Sequence, residues 1–148
     1  MAVPCWRNAG RIQPDLLSAI ANVEIDGKPL SPEFLDGSWL LIVFAGNDTT
    51  RNSLSGTMKL LTQNPDQKAK LMADDSLFPN FVHESIRMVS PVTYMRRTAT
   101  KVTELGGQAI AEGEKLVMYY AAANRDPAKF DNPDTYDITR ANAKEHLA

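Results

Sequence analysis

The stretch that decides the fold is residues 31–63, SPEFLDGSWLLIVFAGNDTTRNSLSGTMKLLTQ. It opens with a typical helix start: Ser31 as the N-cap, Pro32 at the first helical position and Glu33 as an acid in the first turn. No further proline occurs before Pro65. At about 1.5 Å per residue, one continuous helix over this stretch would be about 50 Å long.

The middle of this stretch is apolar on every side. Residues 39–45, WLLIVFA, leave no polar face, and a helix that is apolar all round is normally buried. The sequence therefore predicts a helix that runs through a hydrophobic core. A chain of 148 residues hardly has the mass to surround such a helix, which is a first indication that it belongs to a larger protein.

Residues 45–50, AGNDTT, lie in the middle of the same stretch, and all of them except Ala45 are poor helix formers. The helix could open locally, because Thr and Asp side chains compete for backbone carbonyls, and the opening would form a groove lined by a hydroxyl and a carboxylate. Alternatively, one helix ends at Gly46 and a second is capped by Asp48 or Thr49. Spacing alone favours two helices. Continuity is favoured by the apolar residues on either side, which stay roughly in phase.

Three further helices are predicted from local signals. Pro14 and Asp15 precede a helical period that reaches Val23, and the turn sequence Asp26-Gly27 follows it. A capping-box pattern at residues 64–67 opens a helix to about Ala73. Another helix begins at Pro79 and closes before Pro91.

After Pro91 the character of the sequence changes to short strands. Residues 98–100, 102–105 and 115–120 are rich in β-formers, with a turn at Gly106-Gly107. From Asn124 onward the chain has turn chemistry and little periodicity. The predicted fold class is mainly α with a small β portion.

Composition excludes several classes of protein. With 43% hydrophobic residues the chain is not a disordered tail. A net charge of −2 without a basic run disfavours nucleic-acid binding. One cysteine and two histidines allow neither a disulfide scaffold nor a structural zinc cluster. No secretory signal is recognised, and no apolar run is long enough to span a membrane. We therefore expect a soluble, cytoplasmic protein without nucleic-acid or membrane partners.

The spacing Glu84-x-x-Arg87 places an acid and a guanidinium on one helix face. Such a pair is usually an exposed ion pair of little energetic value, but a third charge would make it a buried network. Arg96 and Arg97 could bind an anion or could be solvated. His83 and His146 are isolated in sequence and are predicted to be surface or packing residues, not metal ligands.

The order of these weak signals resembles the haem-thiolate monooxygenases, the cytochromes P450. The shared motifs are Ala45-Gly46-x-Asp48-Thr49-Thr50, Glu84-x-x-Arg87, Arg97-x-Ala99, Asn124-Arg125-Asp126-Pro127 and Phe130-x-x-Pro133-x-x-Tyr136-x-x-x-Arg140. The match extends from about Asp15 to Ala148, and the chain is similar to bacterial members without a membrane anchor. The resemblance implies a long distal helix, a helix with the Glu-x-x-Arg motif, a short sheet and an irregular meander.

The resemblance also implies roles for single residues. Asp48 and Thr49 would be catalytic, with Thr49 hydrogen-bonding dioxygen and Asp48 relaying protons. The distal helix would open at Gly46 to make room for dioxygen, with Ala45 and Gly46 beside the haem b cofactor and Arg97 on a haem propionate. Glu84, Arg87 and Arg140 would form a buried charge triad. The residues expected to face the substrate are Phe44, Val92 and Met95.

One departure from the family pattern concerns the iron ligand. The family's proximal cysteine lies in a glycine-rich loop after the triad arginine, beyond Ala148, and Cys5 cannot replace it because Cys5 precedes the distal helix. No metal ligand is therefore assigned in this chain. We expect residues 14–148 to be an incomplete portion of one P450 domain, inactive alone, with residues 1–13 unassigned. The alternative is a truncated relic or a small helical module without haem.

The resemblance further implies the chemistry and partners of the parent enzyme. It would insert one oxygen atom of dioxygen into an apolar substrate such as an alkane, a terpenoid or a sterol side chain. The electrons would come from NAD(P)H through a ferredoxin or a flavin reductase.

Overall fold

The computed structural model describes residues 14–147 and divides the chain into two compact units, residues 1–48 and 49–148. The described part is mainly helical with a few short strands, which confirms the predicted fold class. Cys5 and the other residues before Pro14 lie outside the described residues, as does Ala148.

The first unit contains helix α1 (Leu16–Ala21) and a two-stranded hairpin of β1 (Glu24–Ile25) and β2 (Lys28–Pro29). Asp15 caps α1, its carboxylate accepting a 2.6 Å hydrogen bond from the Ser18 amide. The hairpin turns at Asp26 and Gly27, which have φ angles of 54° and 70°. Both residues are left-handed, as a two-residue turn of this kind requires, so the predicted turn is confirmed. The predicted helix is present but ends at Ala21, two residues before Val23.

Helix α2 (Pro32–Gln63) is a single 32-residue helix that begins in the first unit and ends in the second. It starts as predicted, with the Ser31 hydroxyl accepting from the Phe34 amide at 3.3 Å. The two-helix alternative is wrong, because the helix is assigned without interruption through residues 45–50. The predicted opening at Gly46 does not occur as a break. The phase of the apolar residues was a better guide than the poor helix propensity of residues 46–50 between them.

The prediction that the middle of α2 is buried is wrong for this chain. Within α2, all of whose residues are described, only Leu35 is buried. Leu40, Leu41 and Phe44 are 68%, 67% and 70% exposed. The apolar sequence is real, but the described residues are too few to enclose it.

The second unit holds α3 (Pro65–Ala73), a 3₁₀ turn (Asp75–Leu77) and α4 (Phe78–Val89). The predicted starts and ends of α3 and α4 are confirmed to within one residue. The hydrophobic core of this unit consists of Leu71, Phe81, Tyr136 and Ile138, with Leu60, Leu61, Leu77 and Met88 packed against it. Helix α4 ends at its C-cap Ser90, whose backbone is left-handed at φ 46°.

The capping box predicted for α3 is wrong in mechanism. The Asn64 side chain does not cap the helix. Its Nδ2 donates instead to the Leu60 carbonyl at 2.8 Å. Gln67 is buried, and its side-chain oxygen accepts from the Ile138 amide at 3.1 Å. The long-range partner outcompetes the local cap because a buried backbone amide must be paired.

Two antiparallel strand pairs follow α4. Strand β3 (Tyr94–Thr98) pairs with β6 (Lys115–Tyr119), and β4 (Thr103–Leu105) pairs with β5 (Gln108–Ile110) through the predicted turn at Gly106-Gly107. The sequence prediction placed a strand at residues 98–100, whereas β3 lies mostly before Thr98. A short helix α5 (Tyr120–Ala123) leads into the irregular segment, which ends in a 3₁₀ turn (Ala143–Glu145).

Helix α2 approaches α4 closely at Gly56. A Cβ atom added there would lie 2.6 Å from Cγ2 and 2.9 Å from Cγ1 of Val89. Val89 is β-branched and stiff at χ1, so its methyl groups cannot swing away freely. The glycine therefore sets how closely the two helices pack.

We predict that Gly56→Ala lowers the free energy of unfolding by about 1–2 kcal/mol, because overpacking exceeds the gain in helix propensity. The control is Gly37→Ala in the same helix, where an added Cβ meets nothing within 4 Å. That variant should be neutral or more stable. Urea unfolding of both variants measures the difference, and a Gly56→Ala protein as stable as Gly37→Ala would contradict the close approach.

Candidate functional site

A buried charge network lies between α4 and the irregular segment. Glu84 and Arg87, one helical turn apart on α4, form a two-pronged ion pair: Arg87 Nε to Glu84 Oε2 at 2.7 Å and Arg87 Nη2 to Oε1 at 2.8 Å. Both side chains are 0% exposed. The reading of this spacing as an ordinary surface pair therefore does not hold.

The third charge comes from Arg140. Its Nε lies 3.1 Å from each oxygen of Glu84, and its side chain is 8% exposed. The Asp137 amide also donates to Glu84 Oε1 at 3.1 Å. One carboxylate thus accepts from two guanidinium groups and one backbone amide, which is the full pairing that a buried charge needs.

The remaining guanidinium protons are satisfied by backbone carbonyls. Arg87 Nη1 donates to the carbonyls of Asn124 at 2.6 Å and Pro133 at 2.8 Å. Arg140 Nη2 donates to those of Thr135 at 2.9 Å and Asn132 at 3.1 Å. These bonds fold the irregular segment around the charges, so a stretch without helix or strand becomes a defined structure.

Two aromatic residues of the irregular segment pack against this end of α4. Phe130 is 1% exposed, and its ring lies 5.0 Å from Arg87 Cζ, in cation–π geometry. The hydroxyl of Tyr136 lies 2.8 Å from Ser85 Oγ in a buried hydrogen bond. Burial raises the pKa of Tyr136 above its ordinary value of 10.0, partly offset by that bond to Ser85. The phenol is therefore a neutral packing and hydrogen-bonding group.

Asp48 and Thr49 are consecutive residues of α2, the last of the first unit and the first of the second. The Thr49 carbonyl accepts a 2.8 Å hydrogen bond from Ser53 Oγ. Within the second unit, Thr49 lines an open, largely apolar pocket of about 450 Å³. The other lining residues are Thr50, Ser53, Leu54, Ile86, Pro91 and Val92. Of the residues expected to face a substrate, Val92 is therefore placed at the pocket of Thr49.

The remaining predicted site residues are exposed. An added Cβ at Gly46 would meet nothing within 4 Å, and Ala45 beside it is exposed. Arg97 projects from β3, its guanidinium bonded to the neighbouring Arg96 carbonyl at 3.1 Å. Phe44 is 70% and Met95 44% exposed.

The two histidines are isolated in sequence but contact each other in the structure, where His83 is exposed and His146 half-buried, as predicted for surface or packing residues. His83 Nδ1 and His146 Nε2 lie 3.3 Å apart, although 63 residues separate them. His146 Nδ1 is buried and has no hydrogen-bond partner among the described residues. In the described part of the chain, no group of three or more His, Cys, Asp or Glu side chains could hold a metal ion. Sequence spacing contained no signal for this contact.

Sequence analysis also missed the role of Asn124. It was noted only as part of a motif, yet its side chain is fully buried and bonded to Ser90 and Leu147. An asparagine that opens a segment rich in turn-forming residues is typical of a turn, so its pattern gave no indication of burial.

We predict that Glu84→Gln destabilises the fold by about 3–5 kcal/mol, because it leaves two buried guanidinium groups without a counter-charge. The matched control is Glu145→Gln, which removes the exposed ion pair with Lys129 and should barely change the melting temperature. Thermal unfolding compares the two. Equal melting temperatures would show that the network carries no such energy.

His146 supplies a pH-dependent prediction. Burial lowers the pKa of His146 below its ordinary value of 6.5, and His83 and Arg87 lower it further. Below about pH 6.5 the unfolded chain binds a proton that the folded chain resists, so the free energy of unfolding falls as the pH falls. His146→Gln should flatten that dependence between about pH 5 and 7. Unfolding curves at several pH values test this, and parallel profiles for both proteins would contradict it.

Comparison with known proteins supplies the family. A sequence profile described as Cytochrome P450 matches residues 7–146, beginning ahead of the boundary expected after residue 13. Linalool 8-monooxygenase of Pseudomonas putida is 45% identical over 127 residues, covering 86% of this chain and 31% of the relative. A methyl-branched lipid omega-hydroxylase of Mycobacterium tuberculosis is 42% identical over 134 residues, covering 90% and 31%.

Solved structures agree. A Mycobacterium marinum cytochrome P450 in complex with pseudoionone superposes with a TM-score of 0.91 at 41% identity, covering 97% of this chain and 34% of that one. Cytochrome P450-153 from Novosphingobium aromaticivorans gives 0.83 at 46% identity, covering 90% and 33%. The chain thus spans about a third of the length of the relatives it matches. Among residues 14–147, no helix is long and apolar enough to cross a membrane. The profile match and these relatives show that the chain belongs to the cytochrome P450 family.

Proposed function

We propose that the whole protein is a haem-dependent monooxygenase. It transfers one oxygen atom of dioxygen to an apolar substrate and reduces the other to water with two electrons and two protons. The observation that carries the proposal is the buried network of Glu84, Arg87 and Arg140, found in a chain whose relatives are named monooxygenases and hydroxylases. The network anchors the part of the chain that would support the cofactor from behind.

The residues present fit a haem. Arg97 presents an exposed guanidinium on β3 that could pair with a propionate carboxylate. The haem, when bound, supplies the oxygen-activating chemistry. Its thiolate ligand would come from a segment that follows Arg140 in the parent protein.

Thr49 and Asp48 would manage protons at the reacting oxygen. The Thr49 hydroxyl can donate a hydrogen bond and pass a proton, and a carboxylate beside it can replenish that proton. The pocket that Thr49 lines is also lined by apolar side chains such as Leu54 and Val92, which supports this role. A polar hydrogen-bonding group in an apolar pocket suits oxygen transfer to a hydrocarbon.

The substrate class we propose is a terpenoid or a branched lipid. One relative is named for linalool and another for methyl-branched lipids, and a similar structure holds pseudoionone. The pocket is open and predominantly apolar, and Phe44 and Met95 add exposed apolar surface within their own units. Electrons would arrive from NAD(P)H through a ferredoxin or a flavin reductase in the cytoplasm.

The test is made on the full-length protein. Reduced protein under carbon monoxide should show the absorption band of a thiolate-ligated haem, and terpenoid or branched-chain substrates should shift its oxidised spectrum. A purified full-length protein that binds no haem would overturn the proposal and favour a non-catalytic protein.

Thr49 gives the sharpest functional prediction. In the full-length enzyme, Thr49→Ala should leave folding and haem content nearly unchanged, because alanine is the better helix former. What should fall, by about tenfold or more, is product formed per NAD(P)H consumed, with peroxide released instead. General acid–base groups typically contribute factors of about 10²–10⁴, so a tenfold loss of coupling is a modest expectation. Thr49→Ser keeps the hydroxyl and should retain most coupling.

Asp48→Asn separates proton supply from proton delivery. This variant should slow turnover more than it uncouples it, because the hydroxyl of Thr49 remains. Product and peroxide are measured in the same reaction. If Thr49→Ala coupled as well as the parent enzyme, Thr49 would have no catalytic part.

A further inference from the structure

The side chain of Asn124 holds the backbone of Leu147 at two points. The Leu147 amide donates to Asn124 Oδ1 at 2.7 Å, and Asn124 Nδ2 donates to the Leu147 carbonyl at 3.0 Å. A carboxamide bonded in this way replaces a neighbouring peptide group, much as a strand partner would. Asn124 is 0% exposed, so water does not compete for these bonds.

The same residue is bonded to the buried charge network. The backbone carbonyl of Asn124 accepts a hydrogen bond from Arg87 Nη1 at 2.6 Å. Its Nδ2 also donates to Ser90 Oγ at 2.9 Å, and Ser90 Oγ in turn donates to the Arg87 carbonyl at 2.9 Å. Asn124 therefore links the end of α4 to the backbone of Leu147, 23 residues further along the chain.

Local structure does not explain this side chain. The backbone amide of Asn124 already closes α5 by donating to the Tyr120 carbonyl at 2.8 Å, and an alanine could do the same. Nor does apolar packing hold Leu147, whose side chain is 52% exposed. Within the described structure, the two hydrogen bonds to the Asn124 carboxamide hold the peptide group of Leu147 in place.

We propose that Asn124 is a positioning residue for the segment that follows Leu147. By fixing the peptide plane at Leu147 against Arg87, it sets the direction in which the chain leaves the charge network. The proposal rests on the proposed function, in which the following segment carries the thiolate. The state of the thiolate should be sensitive to this contact, because a small displacement of a metal ligand alters its bonding and protonation.

The experiment compares Asn124→Ala, Asn124→Asp and a matched control in the full-length holoenzyme. Asn142→Ala is the control, because the half-buried Asn142 side chain also donates to a distant carbonyl, that of Lys129 at 2.8 Å, but this hydrogen bond is exposed. Asn124→Asp keeps the size and the acceptor for the Leu147 amide while losing the donor to the Leu147 carbonyl. If the alanine variant fails to fold, Asn124→Asp takes its place in the test.

Two readouts separate positioning from simple destabilisation. Hydrogen exchange at the Leu147 amide should speed up about tenfold or more in Asn124→Ala, and less in Asn124→Asp. At unchanged haem content, the carbon-monoxide spectrum should shift several-fold from the thiolate-type band towards the neutral-thiol type in both variants. Asn142→Ala should match the parent in both readouts.

The proposal is overturned if Leu147 exchange is unchanged in Asn124→Ala, or if exchange rises while the thiolate band stays at the parent's level. It is also overturned if the band falls only in proportion to haem content. A parent enzyme without a thiolate band would instead overturn the proposed function, and the exchange measurement would still decide whether Asn124 clamps Leu147.

Discussion

The carboxylate of Glu84 is the interaction on which the second unit depends. It is fully buried and accepts from Arg87 on its own helix and from Arg140, 56 residues later. A buried charge is tolerated only when every partner is present, so α4 and the irregular segment must fold together. Each arginine then has donors left over, and these organise the backbone from Asn124 to Thr135. The charges thus supply order where the sequence has no helix or strand pattern.

Local signals predicted most helix and turn boundaries, whereas burial required information from distant residues. Asp15, Ser31 and Gly106 act within a few residues, and their effects were predicted correctly. The Glu84-x-x-Arg87 spacing predicted a shared face, but its burial depends on residues more than 40 positions later, such as Phe130. The contact of His83 with His146 and the preference of Gln67 for Ile138 have the same origin. The family resemblance connected Glu84 and Arg87 with Arg140, but it predicted neither of these two contacts.

Helix α2 shows how competing signals are resolved. Five poor helix formers at residues 46–50 favoured a break, yet the apolar phase on either side favoured continuity, and the helix is continuous. Each residue of low propensity costs at most about 1 kcal/mol relative to alanine, which is too little to interrupt a helix of this length. The prediction that its apolar middle is buried assumed a whole domain. The chain spans about a third of its relatives' length, and the apolar middle is exposed.

The use of carbonyl oxygens as acceptors has a consequence for sequence drift. Arg87 and Arg140 bind the backbone of Asn132, Pro133 and Thr135, and any amino acid supplies a carbonyl. Side chains there can change without removing an acceptor, whereas an inserted or deleted residue would move every carbonyl out of register. Homologous enzymes should therefore vary more freely in the composition of this segment than in its length.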